Sequence, residues 1–323
     1  MEFLFPSRSK KVNQGDLRYQ IKDDSVYGPN SKLKFKGRIT NRRTPLPNEL
    51  FTFFHLQVLD LSNKHAEFGL CVLDIIPVEL FRLRNLKVLN MEYHNIKKVP
   101  AEVASMNKLE VLTLTRNKIS KLPCSFSSLV SLKYLHISHN CIQTFPDVIC
   151  SLKSLTFLDI SFNKIQSIPN EIHFLADELG ALLITDNKLE CLPKAICKCV
   201  NLMTLWLANN SIRRLPDQFY KLNKLDWNKS TPLAVNCLSG NPIQYPPYER
   251  VCSLGLDAIF KYLIENADKE SDTEVELRGP TVSVVGYEYD NNMPVSIQND
   301  PRNFQFDIRI PTIIIDDLDD ETQ

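Results

Sequence analysis

The sequence has 323 residues, and its 38 Lys and Arg are balanced by 38 Asp and Glu, which leaves no formal net charge. A hydrophobic content of 43% and a charged content of 24% are typical of a globular protein and exclude collagen-like and wholly disordered chains. No stretch approaches the roughly 18–20 consecutive apolar residues that cross a bilayer, so we expect no membrane span.

The N-terminal part of the chain is basic. Residues 1–44 carry 11 Lys and Arg but only 4 Asp and Glu. We assign residues 1–30 as a basic N-terminal segment, which we expect to help cover the first edge of the fold that begins near residue 31. The apolar run at the start is brief and is followed, not preceded, by basic residues, so we predict no secretory signal.

One pattern recurs between residues 31 and 247. It is clearest in LEVLTLTRNKISKLP (109–123), where spaced leucines lead to an asparagine and then to Leu-Pro. The position of that asparagine, called here the polar slot, returns at steps of 23, 23, 23, 24, 23 and 31 residues. A proline follows each slot after six residues. The slot is filled by His94, Asn117, Asn140, Asn163, Asn187, Asn210 and Asn241.

Two less regular copies precede these, with Arg38 and Lys64 in the slot, so we count about nine turns. In each turn the segment with spaced leucines predicts a short strand, and we expect successive strands to pair in parallel about 4.8 Å apart. The bend after the strand leaves backbone polar groups in an apolar interior, where they need partners. We expect the asparagine to bond the backbone of its own turn and of the next. His94 can donate and accept, whereas Lys64 and Arg38 cannot accept.

The segments that follow the prolines predict short helices or 3-10 turns on the opposite, convex side. We expect the core to receive Val103 and Met106, Phe126 and Leu129, and Ile149 and Leu152. A longer helix is predicted within residues 248–267, where an apolar stripe suits it to cap the last turn. The stripe consists of Val251, Leu254, Ile259, Phe260 and Leu263.

The recurring pattern matches LxxLxLxxNxIxxLP and resembles the leucine-rich repeat family. The resemblance implies an α/β repeat solenoid, a horseshoe with a parallel concave sheet and a C-terminal capping helix. The block GNPIQYPPYERVCSLGLDAIFKYL (240–263) is similar to the terminal cap of the short intracellular members, of the Ras-group-related and Ras suppressor kinds. Such proteins generally act as scaffolds or adaptors, which implies a small-GTPase pathway or a phosphatase complex as the partner.

Side chains between the inward leucines are expected to line the concave sheet. Aromatic and charged residues fall next to one another in these rows, which is typical of a protein interface. The alternative is that the rings only pack on each other across strands. The predicted contact residues are Tyr93, Arg116, Tyr134, His136, His139, Phe157, Asp159, Phe162 and Trp206.

No motif for catalysis or for a cofactor is present. The chain has only 9 glycines and contains no GxGxxG, no GxxxxGK[ST], no HExxH, no paired CxxC and no GxSxG. His136, Asp159 and Cys141 are close in the repeat pattern, but an open wet sheet offers no oxyanion hole. We therefore predict a non-enzymatic protein without cofactor, metal or small-molecule substrate. Two alternatives are an enzyme with an unrecognised site and a nucleic-acid or membrane-surface binder through the basic N-terminus, although that segment carries no known nucleic-acid-binding motif.

The C-terminal part of the chain is acidic. Residues 265–323 carry 15 Asp and Glu against 4 Lys and Arg, and we assign 268–323 as an acidic, flexible tail. Near its end Ile313, Ile314 and Ile315 precede Asp316 and Asp317, and this resembles a SUMO-interacting peptide. Alternatively, the tail folds back onto the solenoid or onto the basic N-terminal segment.

The 9 cysteines are scattered without a clustered framework, which indicates reduced thiols and a cytoplasmic or nuclear location. The sequence as a whole predicts an intracellular scaffold or adaptor that binds a partner protein on its concave face.

Overall fold

The computed structural model of the chain describes residues 20–22, 32–34, 46, 48–63, 72–227 and 237–267. Within these residues nine strands of three residues each form one sheet, in which the strands lie side by side in chain order. The strands are β1 Gln20–Lys22, β2 Lys32–Lys34, β3 Val58–Asp60, β4 Val88–Asn90, β5 Val111–Thr113, β6 Tyr134–His136, β7 Phe157–Asp159, β8 Ala181–Leu183 and β9 Thr204–Trp206.

From β2 onwards all neighbouring strands are parallel and in register. Leu112 of β5 pairs with Leu135 of β6, which in turn pairs with Leu158 of β7. These central leucines are buried, because side chains alternate between the two faces of a strand and the central one points into the solenoid. The sheet of the predicted leucine-rich repeat solenoid is therefore confirmed.

The first strand differs from the expected pattern. β1 pairs antiparallel with β2, so the sheet already begins within the segment that the sequence assigned as a basic N-terminal extension. An antiparallel strand occupies the backbone groups that β2 would otherwise present at the edge of the sheet.

The convex side consists of short 3-10 helices, each of which follows the proline of its turn. The proline takes an extended conformation before the helix, as at Pro123, whose φ is −71° and ψ 154°. The predicted inward residues are buried, among them Val103, Phe126 and Ile149. The described 3-10 helices are Asn48–Thr52, Val78–Arg82, Ala101–Ser105, Cys124–Ser128, Asp147–Ser151, Asn170–Leu175, Lys194–Lys198, Phe219–Lys221 and Cys252–Leu254.

The slot asparagines form a hydrogen-bonded spine through the interior. The side chain of Asn140 donates to the backbone carbonyls of Ile137 and Ser138 in its own turn, at 3.0 and 3.1 Å. It also donates to Leu114 O at 3.0 Å and accepts from Ile119 N–H at 2.9 Å. These last two partners belong to the preceding turn. The prediction that the asparagine bonds the next turn was therefore wrong in direction.

His94 substitutes for asparagine in this spine, as the sequence predicted. Its Nδ1 accepts from Leu73 N–H at 3.3 Å, and its Nε2 lies 2.8 Å from Leu61 O, to which it donates. This pairing requires the neutral tautomer with the proton on Nε2. Burial lowers the pKa of His94, and the bond to the Leu61 carbonyl partly opposes that shift. Lys64 and Arg38, whose side chains cannot accept a hydrogen bond, lie outside the described residues.

The helix α1, Leu256–Asn266, packs against the last turns of the solenoid. Its buried residues are Ile259 and Leu263, and the ring of Phe260 meets Phe219 edge-on with 6.2 Å between centroids. The predicted stripe holds except at Leu254, whose side chain is 73% exposed. Leu254 precedes the helix, in the short 3-10 segment Cys252–Leu254, and therefore does not share the buried face of α1.

Candidate functional site

The residue just before the slot has left-handed backbone in six successive turns. The φ angles are 61° at Tyr93, 56° at Arg116, 53° at His139, 52° at Phe162, 52° at Asp186 and 54° at Asn209. We call these six residues the left-handed row. Residues with a side chain seldom adopt this conformation, and it costs about 1 kcal/mol or more per residue. A repeat of it over six turns shows that the bend imposes the conformation.

Hydrogen bonds on both sides hold this bend in place. Each backbone N–H of the row donates to a carbonyl of the following turn, as from Arg116 to Ser138 at 3.0 Å and from His139 to Ser161 at 3.0 Å. The slot residue that comes next reaches back to the preceding turn. In the last turn Gly240 occupies the equivalent position with φ 71°, and a Cβ there would collide with the side chain of Asn209. Hydrogen bonds therefore hold the left-handed row in one backbone conformation along one margin of the concave sheet.

Side chains of neighbouring residues in the left-handed row contact one another. The guanidinium carbon of Arg116 lies 5.3 Å from the centre of the Tyr93 ring. The rings of His139 and Phe162 stack at 4.0 Å with an angle of 6° between their planes. Four predicted contact residues are thus brought together in two cation–aromatic or stacked pairs. Arg116 is exposed, and Tyr93, His139 and Phe162 are half-buried.

The row continues through two residues that the sequence analysis did not select. The Asn209 amide donates to the Asp186 carboxylate at 3.1 Å. Burial raises the pKa of Asp186, while the hydrogen bonds from Asn209 and Thr185 oppose that rise. The signal was present in the sequence, because both residues occupy the position before the slot. It was not used because the prediction was centred on aromatic rings, which neither Asp186 nor Asn209 has.

A second cluster lies on the strands themselves. The ring of Phe157 on β7 is 4.8 Å from His136 and 6.4 Å from Tyr134, both on β6. Asp159 is the register partner of His136. Burial lowers the pKa of His136, and the neighbouring Asp159 carboxylate opposes that shift.

The concave positions of β7, β8 and β9 are buried. Phe157 and Asp159 are each 3% exposed, and Trp206 is 8% exposed. In β8 the concave residues Ala181 and Leu183 are buried as well, and Leu183 has Asp159 and Trp206 as its register partners on either side. Phe157, Asp159 and Trp206, which the sequence predicts as contact residues, are therefore almost fully buried in the chain by itself.

The side chains described by the structure suggest no catalytic set. Cys141 lies beyond the spine, in a different row from His136 and Asp159. Burial raises the pKa of Cys150 and of Cys199 to about 12, so these thiols stay protonated and weakly nucleophilic. No group of three His, Cys, Asp or Glu among the described residues is arranged to hold a metal ion.

The predictions for the C-terminal tail and for the basic N-terminal segment concern residues that lie mostly outside the described part of the chain. The tail residues Ile313, Ile314, Ile315, Asp316 and Asp317 lie outside the described residues, and so does most of the basic N-terminal segment. Of the helices that are described, none has the length and apolar character needed to cross a bilayer.

Two family models match the sequence. One, described as a leucine-rich repeat region, matches residues 38–161, and another, described as a leucine-rich repeat, matches residues 154–175. Comparison with the curated proteins finds no match.

Solved structures with a similar fold include a leucine-rich repeat protein of Leptospira interrogans, 27% identical, with a TM-score of 0.49 over 64% of this chain and 60% of that chain. An internalin from Listeria monocytogenes is 23% identical, with a TM-score of 0.46 over 55% of this chain and 48% of its own. The leucine-rich repeat ectodomain of an Arabidopsis thaliana membrane receptor kinase, in complex with CASPARIAN STRIP INTEGRITY FACTOR 2, is 21% identical, with a TM-score of 0.45 over 56% and 27%.

The similar region spans less than two thirds of each of these three solved chains. The family matches cover residues whose turns also repeat the strand, the spine and the 3-10 helix of this fold. The matches show leucine-rich repeats within residues 38–175 of the chain.

Proposed function

We propose that the protein is a non-enzymatic scaffold or adaptor that binds a partner protein along the left-handed row and the adjoining part of the concave sheet. Leucine-rich repeat folds generally mediate protein–protein interaction through such extended concave surfaces. The observation that carries the proposal is the contact between Tyr93 and Arg116, together with the stack of His139 on Phe162, on a backbone whose conformation is fixed.

Rigid aromatic and arginine side chains are the residue types that dominate binding energy at protein interfaces. In the left-handed row such side chains lose little conformational freedom when a partner binds, because the bend and the mutual stacking already restrict them. Tyr134 and His136 lie half-buried on β6 and extend the surface towards the middle of the sheet. The buried ring of Phe157 contacts both of them, with ring centres 6.4 Å from Tyr134 and 4.8 Å from His136.

As to the partner, we propose a component of a small-GTPase pathway or of a phosphatase complex, the two classes suggested by the short intracellular members of the family. A cytoplasmic or nuclear location belongs to the same proposal.

The test is affinity purification of the full chain from cells, with captured proteins identified by mass spectrometry. The variant carries Arg116→Ala, His139→Ala and Phe162→Ala together, which removes exposed or half-buried side chains without opening the core. We expect it to lose the specific partners that the wild-type chain captures. Phe157 and Trp206 are left intact, because truncating a buried aromatic residue costs about 3–5 kcal/mol and tests folding instead.

A matched control changes the same three residue types on the convex side: Arg82→Ala, His173→Ala and Phe174→Ala. These residues lie in the 3-10 helices Val78–Arg82 and Asn170–Leu175. We expect the control to retain the partners. Retention of every partner by the folded concave variant overturns the assignment of the site, and thermal unfolding of both variants verifies the fold.

A further inference from the structure

One flank of the solenoid carries an excess of positive charge. It consists of the five residues that follow the slot in each of six turns, between the spine and the proline, and we call it the basic flank. It holds 8 Lys and Arg and a single acidic residue, Glu190. All eight basic side chains are exposed. They are Lys97, Lys98, Lys118, Lys121, Lys164, Lys188, Arg213 and Arg214.

The opposite margin, just before the strands, is mixed in charge. There Lys133 forms an ion pair with Glu110 at 2.9 Å, and the pKa of Lys133 is raised by the hydrogen bond to that carboxylate. On the basic flank one such pair is formed among the described residues, between Arg214 and Asp217 at 2.7 Å. The flank therefore has the character of a surface that meets an acidic ligand.

The chain itself contains such a ligand. Residues 268–323 hold 14 Asp and Glu against 4 Lys and Arg. We infer that this acidic tail docks in cis along the basic flank, with the acidic cluster at residues 316–321 on Lys118, Lys164 and Lys188. A nucleic acid is a poorer fit, because its single strands are bound with aromatic platforms and the eight basic residues of the flank are not interleaved with exposed rings.

The spacing of charges suits an extended peptide. Successive turns lie about 4.8 Å apart, so charges one or two turns apart are separated by about 5–10 Å. Alternate side chains of an extended chain are about 7 Å apart, which lies within this range. An extended acidic segment that runs across the turns therefore meets Lys118, Lys164 and Lys188 at intervals of two turns and one turn.

The tail is also long enough. The helix α1 ends at Asn266, beside the last turns, and 56 residues follow residue 267. A flexible chain of that length has a mean end-to-end distance of about 40 Å, whereas the five steps from the turn of Arg213 back to that of Lys97 span about 24 Å. Tethering keeps the tail at an effective concentration in the millimolar range, so weak ion contacts suffice to hold it.

This inference is independent of the proposed function, and its test needs no partner. We would expose the purified full-length chain to an arginine-specific protease at low ionic strength and follow cleavage at Arg302 and Arg309 in the tail. The flank variant carries Lys118→Gln, Lys164→Gln and Lys188→Gln. Each exposed ion contact contributes a factor of about two to three at low salt, so we expect cleavage to be about tenfold faster in the variant.

The control makes the same charge change on the opposite margin, with Lys87→Gln, Lys108→Gln and Lys224→Gln, and we expect wild-type cleavage rates from it. The tail variant, with Asp316→Asn, Asp317→Asn, Asp319→Asn and Asp320→Asn, is expected to match the flank variant. Combining the flank and tail changes is expected to add nothing further, since both remove one interaction. Equal cleavage rates in wild type and flank variant overturn the inference.

Zero-length cross-linking of an equal mixture of light and heavy isotope-labelled chains locates the contact. We expect cross-links from the tail to lysines of the flank, within chains of one label only. Cross-links between differently labelled chains show a contact with a second copy and overturn docking in cis. Cross-links that run to residues 1–44 instead overturn the flank as the docking surface.

Discussion

His139 and Asn140 are adjacent residues in one bend, yet their side chains have different roles. Asn140 is buried, and its side chain makes four hydrogen bonds to backbone groups of two turns. His139 is half-buried, has left-handed backbone and stacks on Phe162 at the margin of the sheet. The spine thus varies little because the backbone needs it, whereas the adjacent position tolerates six different side-chain types because only its backbone is constrained.

The largest expected effect is at the spine. Asn140→Ala leaves Ile119 N–H in the interior without its acceptor. It also removes one of the two donors from each of three carbonyls, which keep the donors Asn117, Asn163 and Arg116 N–H. We expect a loss of about 3 kcal/mol in the free energy of unfolding. The neighbouring change His139→Ala is expected to cost less than about 1 kcal/mol, the value of a stacked pair. Urea unfolding followed by circular dichroism measures both. Equal losses would show that the spine and the left-handed row contribute equally to the free energy of unfolding, contrary to this prediction.

A smaller effect is expected at the histidine of the spine. Burial lowers the pKa of His94 in the folded chain. Below about pH 6.5 this histidine therefore binds a proton in the unfolded chain more readily than in the folded chain, and the free energy of unfolding decreases as the pH decreases. His94→Asn keeps a donor and an acceptor without a titrating group. Between pH values of about 7.5 and 5.5 we expect the wild type to lose about 1 kcal/mol more than His94→Asn.

The comparison retains His136, whose pKa is also lowered by burial, in both proteins. The measurement is therefore the difference between two unfolding curves at each pH. If the two proteins lose stability in parallel, His94 does not act as the neutral member of the spine.

The smallest effect concerns the coupling within the left-handed row. A double-mutant cycle of His139→Ala and Phe162→Ala is expected to give an interaction energy of about 0.5–1 kcal/mol in unfolding. A parallel cycle between His139 and Arg82, on the convex side, serves as a reference with no coupling. A coupling indistinguishable from that reference would show that the rings touch without stabilising one another.

Much of the architecture was accessible from sequence, for physical reasons visible in single residues. Leu112, Leu135 and Leu158 recur at one period because each turn buries the same face, and the slot must be polar because the bend leaves backbone groups inside. Even the substitution at His94 followed from counting donors and acceptors.

Other features depend on how the turns stack and left no local signal. The left-handed φ is not apparent at Arg116 or Phe162, since these residues do not favour it and the tertiary bend overrides their preference. Alternation showed which face Phe157 and Trp206 occupy, but their burial on that face depends on how side chains of neighbouring strands pack against them. The antiparallel pairing of β1 likewise depends on an edge that forms only once the sheet exists.

The backward direction of the spine has a consequence for a solenoid that is cut short. Each slot side chain accepts a hydrogen bond from the turn before it, from Ile96 to Asn117 and so on to Ile212 and Asn241. The interior hydrogen bonds of one turn are therefore complete only when the following turn is present. Each turn thus depends on the following turn for the acceptor of one interior amide. The irregular segment around Asn241 supplies that acceptor for Ile212, so a chain that stops before Asn241 leaves the Ile212 N–H without it.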